Sequence, residues 1–184
     1  LGSYNTAIGS LSGRSITSGN GNAFLGGYSG YAVTTANYNT AMGYASLYTA
    51  TTATGNTAIG YESLAFVTNS YNSAIGHNSL RNASSASYNT ANGPFAGNAI
   101  TTGDYNTMIG ANSDPSSSGG QNQTAIGYNV TGQADNSVTL GNSDVTAVYM
   151  AEDSGATVYA AGLNLGGTAL TSTGAELNIL DGVT

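Results

Sequence analysis

Large aliphatic residues recur along this chain at a nearly constant interval, each directly before a glycine. Ile8, Leu25, Met42, Ile59, Ile75, Ile109, Ile126 and Leu140 precede Gly9, Gly26, Gly43, Gly60, Gly76, Gly110, Gly127 and Gly141, and in one further copy Asn92 precedes Gly93. The successive glycines lie 17, 17, 17, 16, 17, 17, 17 and 14 residues apart. The flanking positions keep step. Ala mostly stands two before the glycine (Ala7, Ala41, Ala58), Thr or Ser three before (Thr6, Thr40, Ser73), and Asn usually four before. Tyr stands five before in Tyr4, Tyr38, Tyr71, Tyr88 and Tyr105, and Ser often three after.

A unit of this length is too short for a pair of helices, whose repeats run to roughly 33 residues or more. "YNTAI" alternates instead, which predicts a short strand with Tyr, Thr and Ile on one face and Asn and Ala on the other. The glycine opens a turn where positive φ costs least. A second short strand around "YxSL" and a polar loop such as "TATTATG" or "NASSASY" complete the unit. Two short strands and two turns make one coil of a β-solenoid, in which each coil buries against its neighbours. The predicted fold is all-β: a parallel β-roll or β-solenoid of about nine short coils over residues 1–141. At a strand spacing of ~4.8 Å it rises on the order of 40 Å. The aliphatic column is expected to fill the interior as the structural core, with the threonines pointing the same way. Stacked like residues predict an Asn amide ladder and a Tyr stack. In "YNTANGPFAG" (88–97) Asn92 interrupts the aliphatic column, and Phe95 is expected to fill the gap.

So narrow a coil leaves apolar side chains half exposed, and its regular sides suit parallel association of identical chains. A ring of three closes such a contact where an open one would make fibres. A homotrimer is therefore expected. Beyond Gly141 the period ends. Residues 142–172 read as a β-rich connector and 173–184 as a short helix that starts a neck or a next module. Thr173 and Glu176 form a capping box, Leu177 and Leu180 share a face, and Gly182 suits the C-cap, which places the helix at about 174–181. The chain opens inside a repeat and stops at "LDGVT", so it reads as a segment of a longer polypeptide.

Charge narrows the functional classes. Only 6% of the 184 residues are charged, there is no lysine, and the net charge is −7. Residues 1–134 carry Arg14 and Arg81 against Glu62, Asp104 and Asp114; the other six carboxylates lie in 135–184. A chain with two cations builds no basic stripe for nucleic acid and has no attraction for anionic lipid. It has no cysteine, which excludes disulfides, thiolate metal sites and thiol catalysis. No apolar run is long enough to span a membrane.

Catalytic candidates are sparse. His77 fills the slot held by Tyr44, Tyr61 and Tyr128 in other copies and has no ligand or triad partner beside it, so it reads as an exposed variant. Glu152 and Asp153 fall in a turn signal, and Asp104 and Asp114 flank one strand. No pair faces another across a cleft as glycoside hydrolysis requires. The spacing of Asp135 and Asp144 matches no calcium loop. The reading is of a protein that is not an enzyme and takes no cofactor or metal. "NAS" (82–84) and "NVT" (129–131) fit the glycosylation pattern. Tyr44, Tyr61, His77 and Tyr128 are the candidates for surface contact.

The motifs "YNTAIGS", "YNTAMGYASL", "GNTAIGYESL" and "NSVTLGNSDV" resemble the head repeats of trimeric autotransporter adhesins, which are left-handed parallel β-rolls. "LGNSDVTAVYM" and "LNLGGTALTSTGAELNILDGVT" resemble segments of bacteriophage tail fibres. The resemblance implies an elongated trimer on a virion tail fibre or at a cell surface. Its implied role is structural support and contact with a host surface glycan or protein. A bacterial adhesin head is the alternative. An ice-binding solenoid is a third reading, which requires the threonines to form an exposed flat lattice.

Overall fold

The computed structural model describes residues 2–151 and two short strands beyond them, Leu163–Leu165 and Thr168–Leu170. Nine strands form one parallel sheet in strict chain order: β1 (Thr6–Ile8), β2 (Ala23–Leu25), β3 (Thr40–Met42), β4 (Thr57–Ile59), β5 (Ser73–Ile75), β6 (Thr90–Asn92), β7 (Thr107–Ile109), β8 (Gln123–Ile126) and β9 (Ser137–Leu140). Each residue pairs with its counterpart one repeat on, as Ala41 with Ala58 and Met42 with Ile59. The chain is a parallel β-solenoid of about eight turns with a period near 17. It divides into two units, Leu1–Thr146 and Ala147–Thr184; in the second, β10 (Leu163–Leu165) pairs antiparallel with β11 (Thr168–Leu170). The helix expected over 174–181 lies outside the described residues.

The interior is not the aliphatic column. Ile8, Leu25, Met42, Ile75, Ile109, Ile126 and Leu140 are exposed on the outer face of the sheet, and Ile59 is half-buried there. The alanines face inward: Ala41, Ala58, Ala74, Ala91 and Ala125 are all buried. The two faces of each strand hold the residues the alternation predicts, but the Asn–Ala face is the inner one and the aliphatic–Thr face the outer. The reason is space. The coil closes on Leu47, Leu64 and Leu80 from four residues after the glycine, and on Val33, Ala50, Val67, Ala83 and Ile100 from seven after. Where Leu fills the fourth position this leaves room at the strand for a methyl group and little more, whereas Phe24 and Met108 take the same inward position in β2 and β7.

Size is traded between positions within the narrow core. Where the fourth residue after the glycine is Leu47, Leu64 or Leu80, the seventh is Ala50, Val67 or Ala83. Where the fourth is Gly13, Gly30 or Gly97, the seventh is Ile16, Val33 or Ile100. Phe24 stands at an alanine position and is accommodated because Gly30 lies under its ring; a Cβ on Gly30 would come 2.6 Å from it. Close packing of this kind makes each methylene count.

No second strand forms at "YxSL", and the loops are not polar throughout. Ala50, Ala53, Ala83 and Ala86 from "TATTATG" and "NASSASY" are buried, with Thr and Ser turned outward between them. The turns instead use left-handed corners. Residues two after each glycine from Gly9 to Gly127 have φ near +55°, among them Ala45, Glu62 and Phe95, and so do Leu47, Leu64 and Leu80 four after. Left-handed φ is costly for residues with a Cβ. It is sustained because the corner amides are paired between coils. Glu62 N–H donates to Tyr44 C=O at 2.9 Å and Phe95 N–H to His77 C=O at 2.8 Å. The anchoring glycines have φ from 120° at Gly110 to 139° at Gly93, and 84° at Gly141. From Gly9 to Gly110 a Cβ would also strike the backbone of the next coil, at 2.4 Å from the Gly76 oxygen in the case of Gly60.

The asparagines form a buried ladder. Asn22, Asn39, Asn56, Asn72, Asn89 and Asn106 are at most 1% exposed. In the rung at Asn39, Oδ1 accepts the backbone N–H of Asn56 at 2.9 Å and its Nδ2–H at 3.3 Å, while Asn39 Nδ2 donates to Ala53 C=O at 2.9 Å. The ladder ends at Gln123, whose amide is held by Ser116 and Asp135. A buried amide costs little only when its groups are paired, and stacked identical coils pair them.

Candidate functional site

Two surfaces of the solenoid depart from an ordinary solvated exterior. The first is the outer face of the sheet. Threonines and aliphatic residues alternate there in two parallel columns, such as Thr40 with Met42 and Thr57 with Ile59, because only inward positions enter the coil. Val138 in β9 continues the threonine column and is 66% exposed. No charged residue stands in any of the nine strands. Contiguous exposed apolar area of this kind marks an interaction site in soluble proteins.

Asn92 and Phe95 do not repair a core defect. Asn92 is exposed in the outward column, so nothing inside is missing, and Phe95 is exposed as well. The Phe95 ring meets His77 edge-on at 4.9 Å.

That contact belongs to the second surface, a continuous strip of rings. From Phe95 it passes through His77 to Tyr61 at 5.2 Å and Tyr44 at 5.6 Å, then to Tyr28 at 5.6 Å. Tyr28 meets Tyr31, which stacks on Tyr48 at 5.0 Å. The stacking follows from the coil spacing: side chains at one repeat position stand one strand apart, within the range aromatic pairs prefer. Tyr71, Tyr88 and Tyr105 form a separate stack at 5.3 and 5.2 Å.

Both arginines of the chain sit on the long strip. The Arg14 guanidinium donates to the Tyr31 hydroxyl at 2.7 Å and lies over its ring, and Arg81 lies 4.6 Å from the Phe66 ring centre. Arg81 also pairs with Glu62 at 2.5 Å. That guanidinium holds the Glu62 carboxyl below the usual carboxylate range. Glu62 in turn, through hydrogen bonding and charge, pushes the Tyr61 phenol up. Tyr28, Tyr44, Ala45, Tyr48, Glu62 and Phe66 enclose a cleft of about 380 Å³. Asn78, one coil beyond Glu62 in the same turn position, has a buried Oδ1 with no partner among the described residues.

Of the residues expected to make surface contacts, Tyr44, Tyr61 and His77 fall together on this strip. Tyr128 is exposed and has no ring neighbour among the described residues. Tyr28, Tyr31, Tyr48, Phe66 and the two arginines were not foreseen. Arg14, Tyr31, Tyr48 and Arg81 all stand five residues after their anchor glycine, a shared position that was readable in the spacing, whereas Tyr28 and Phe66 stand two and six after and are joined to them only by the stacking of coils. The carboxylates serve structure. Asp104 accepts from Ser87 N–H at 2.7 Å, Asp114 from Ala99 N–H at 2.9 Å, and Asp135 from Gln121 N–H at 2.8 Å. Burial pushes the Asp114 carboxyl up, whereas its hydrogen bonds hold Asp135 down. A second cleft, of about 430 Å³, is lined by uncharged polar side chains such as Asn129, Gln133 and Asn142. Among the described residues no group of three or more His, Cys, Asp or Glu is placed to hold a metal, and no helix is long and apolar enough to cross a membrane.

No family model, curated protein or solved structure matches the chain.

Proposed function

We propose that this chain is a structural and receptor-contact segment of an elongated homotrimeric fibre, of the bacteriophage tail-fibre kind, that attaches to a host-cell surface. The observation that carries the reading is the outward aliphatic column. Seven of its members remain 39–60% exposed on the isolated chain. Full burial of such a side chain is worth about 1.5–3 kcal/mol, so covering what remains yields roughly 5–9 kcal/mol per chain. That is comparable to the cost of association, about 4–15 kcal/mol, before any hydrogen bond or threonine contact is added. The column is straight and uncharged, and it repeats with the strand spacing, so three copies meet along their whole length in register. Rigidity comes from the solenoid, and multivalent presentation of one surface adds weak contacts by avidity.

Light scattering on the purified chain tests this. Three chains of 18.3 kDa give about 55 kDa. The variant I75K/I109K, which places two cations on the outer column and touches no core residue, is expected to lower that mass. A folded 18.3 kDa monomer overturns the reading. A bacterial adhesin head rests on the same repeats, and immunolabelling of virions separates the two sources.

A second reading has one observation in its favour. The threonines face outward rather than inward, with Thr40 and Thr90 exposed on a sheet of regular spacing. That is the arrangement an ice-binding face requires, and it uses the surface that the trimer covers. A monomer with thermal hysteresis would favour ice binding; a trimer without it removes that reading.

A further inference from the structure

We propose that the cleft over the coils of β2, β3 and β4 binds a neutral oligosaccharide, with a hexose ring held against its tyrosines and the hydroxyl edge toward Glu62. The proposal deepens the receptor-contact reading by naming a site and a ligand class.

The repeat makes the strip stand out. Rings at the first position after the glycine follow from the period, but Tyr28, Tyr48 and Phe66 do not share one repeat position. They gather on three successive coils, and there the surface becomes concave. A volume of about 380 Å³ with mainly aromatic walls and a few convergent polar groups is the usual form of a small-ligand site. The structural core does not need these rings. Tyr44 and Tyr61 are about half exposed and Phe66 is 39% exposed, while the coil interior is closed by Leu47 and Leu64 beneath them.

The chemistry selects the occupant. A pyranose has apolar C–H faces that lie on aromatic rings, and a rim of hydroxyls that both donate and accept. The cleft offers phenol rings for the first. It offers the Glu62 carboxylate, fixed by Arg81 at 2.5 Å, and phenol hydroxyls for the second. An ion pair at the edge of an apolar cleft is oriented in advance, so little ordering cost falls on the ligand. Charge disfavours an acidic sugar. Arg81 is paired with Glu62, Arg14 is engaged by Tyr31, and the one charged side chain lining the cleft is the Glu62 carboxylate. An acidic sugar would meet the Glu62 carboxylate and no unpaired cation in the cleft lining.

The test is calorimetric titration of the full chain with maltohexaose, cellohexaose, a β-linked galactose hexamer and a sialylated oligosaccharide. Saturable binding of at least one neutral member is expected, with little dependence on salt. Y44A/Y48A, which removes exposed or half-exposed rings, is expected to weaken it about tenfold or more. Y105A, in the separate stack, is expected to leave it unchanged. Absence of binding to all neutral members overturns the proposal. So does equal loss in Y105A, or binding confined to the sialylated probe. Mass measured on the same samples keeps the two readings apart. A trimer that binds no sugar refutes the cleft alone, and a monomer that binds sugar refutes the trimer alone.

Discussion

Replacing Asn72 by alanine removes one rung of the buried amide ladder, and its cost can be worked from the bonds lost. Asn72 Oδ1 accepts the backbone N–H and the Nδ2–H of Asn89, both at 3.1 Å. Asn72 Nδ2 donates to Ala86 C=O at 2.8 Å and to Asn56 Oδ1 at 3.3 Å. Asn56 Oδ1 keeps a partner in the variant, because the backbone N–H of residue 72 still donates to it. Asn89 Nδ2 keeps Gly103 C=O. Two buried backbone groups do not recover: Asn89 N–H and Ala86 C=O. Each orphaned group costs about 1–3 kcal/mol, so N72A is expected to lose roughly 2–6 kcal/mol. A water entering the void would bring the cost to the low end of that range. Against a total stability of about 5–15 kcal/mol, this is a large fraction. The assay is urea unfolding followed by far-ultraviolet circular dichroism, with N92A as the control. Asn92 lies three residues after Asn89, yet it is exposed in the outward column, and N92A is expected to change stability by about 0.5 kcal/mol or less. If N72A and N92A unfold at the same urea concentration, the ladder does not support the fold as argued.

Three further predictions concern the coil. G60A is expected to fail to fold or to lose at least about 3 kcal/mol, because φ is +133° there and the new Cβ meets the Gly76 oxygen; near-wild-type melting would show that the glycine column is not required. F24A is expected to cost about 3–5 kcal/mol and G30L to clash with the Phe24 ring, but the double variant recovers part of the loss. Leucine already adopts this corner conformation at Leu47, Leu64 and Leu80, and simple additivity in a double-mutant cycle would refute the exchange of volume. Asp114 has its pKa raised by burial, so its ionised form is disfavoured in the fold. Stability therefore falls as pH rises through the native pKa and is regained as pH falls. D114N keeps the acceptor for Ala99 N–H and is expected to raise the unfolding midpoint at neutral pH and to flatten the acid limb. A lower midpoint at neutral pH would contradict this.

The solenoid was legible because its period is written in full. Spacing alone gave the strand positions, the turn glycines, the parallel register and the Asn ladder. The direction of the strand faces was not legible, for a physical reason. "YNTAI" offers an aliphatic–Thr face and an Asn–Ala face, and hydrophobicity favours burying the first. The structure buries the second because the opposing wall already carries Leu and Val, and because asparagines stacked on their own counterparts lose no hydrogen bonds. The loops were misread for a related reason. "TATTATG" is polar by composition, yet Ala50 and Ala53 line the core from it. The aromatic strip was half legible: Tyr44, Tyr61 and His77 share the position after the glycine, and Arg14, Tyr31, Tyr48 and Arg81 share the fifth after it, but that these two columns lie side by side, with Phe66 beside Arg81, follows only from the stacking of coils.

The two sides of the wall are under different physical demands, and this locates the recognition surface. An inward residue meets its own counterpart above and below, so a change in one coil must be answered in the same coil or the next. Phe24 with Gly30 and Gly97 with Ile100 are such answers. An outward strand residue meets a second copy of the chain in the proposed trimer, so it is bound by symmetry to stay straight and uncharged. The outward turn positions after the glycine, unlike the buried third and fourth, carry neither demand, since their amides are paired through the backbone whatever the side chain. That is where the sequence departs most from its period. Tyr28, Tyr48, Phe66 and both arginines stand on this stretch, whereas the sheet itself carries no charge. Rings and paired charges at positions that the fold leaves free have no structural duty to explain them, and a ligand supplies one.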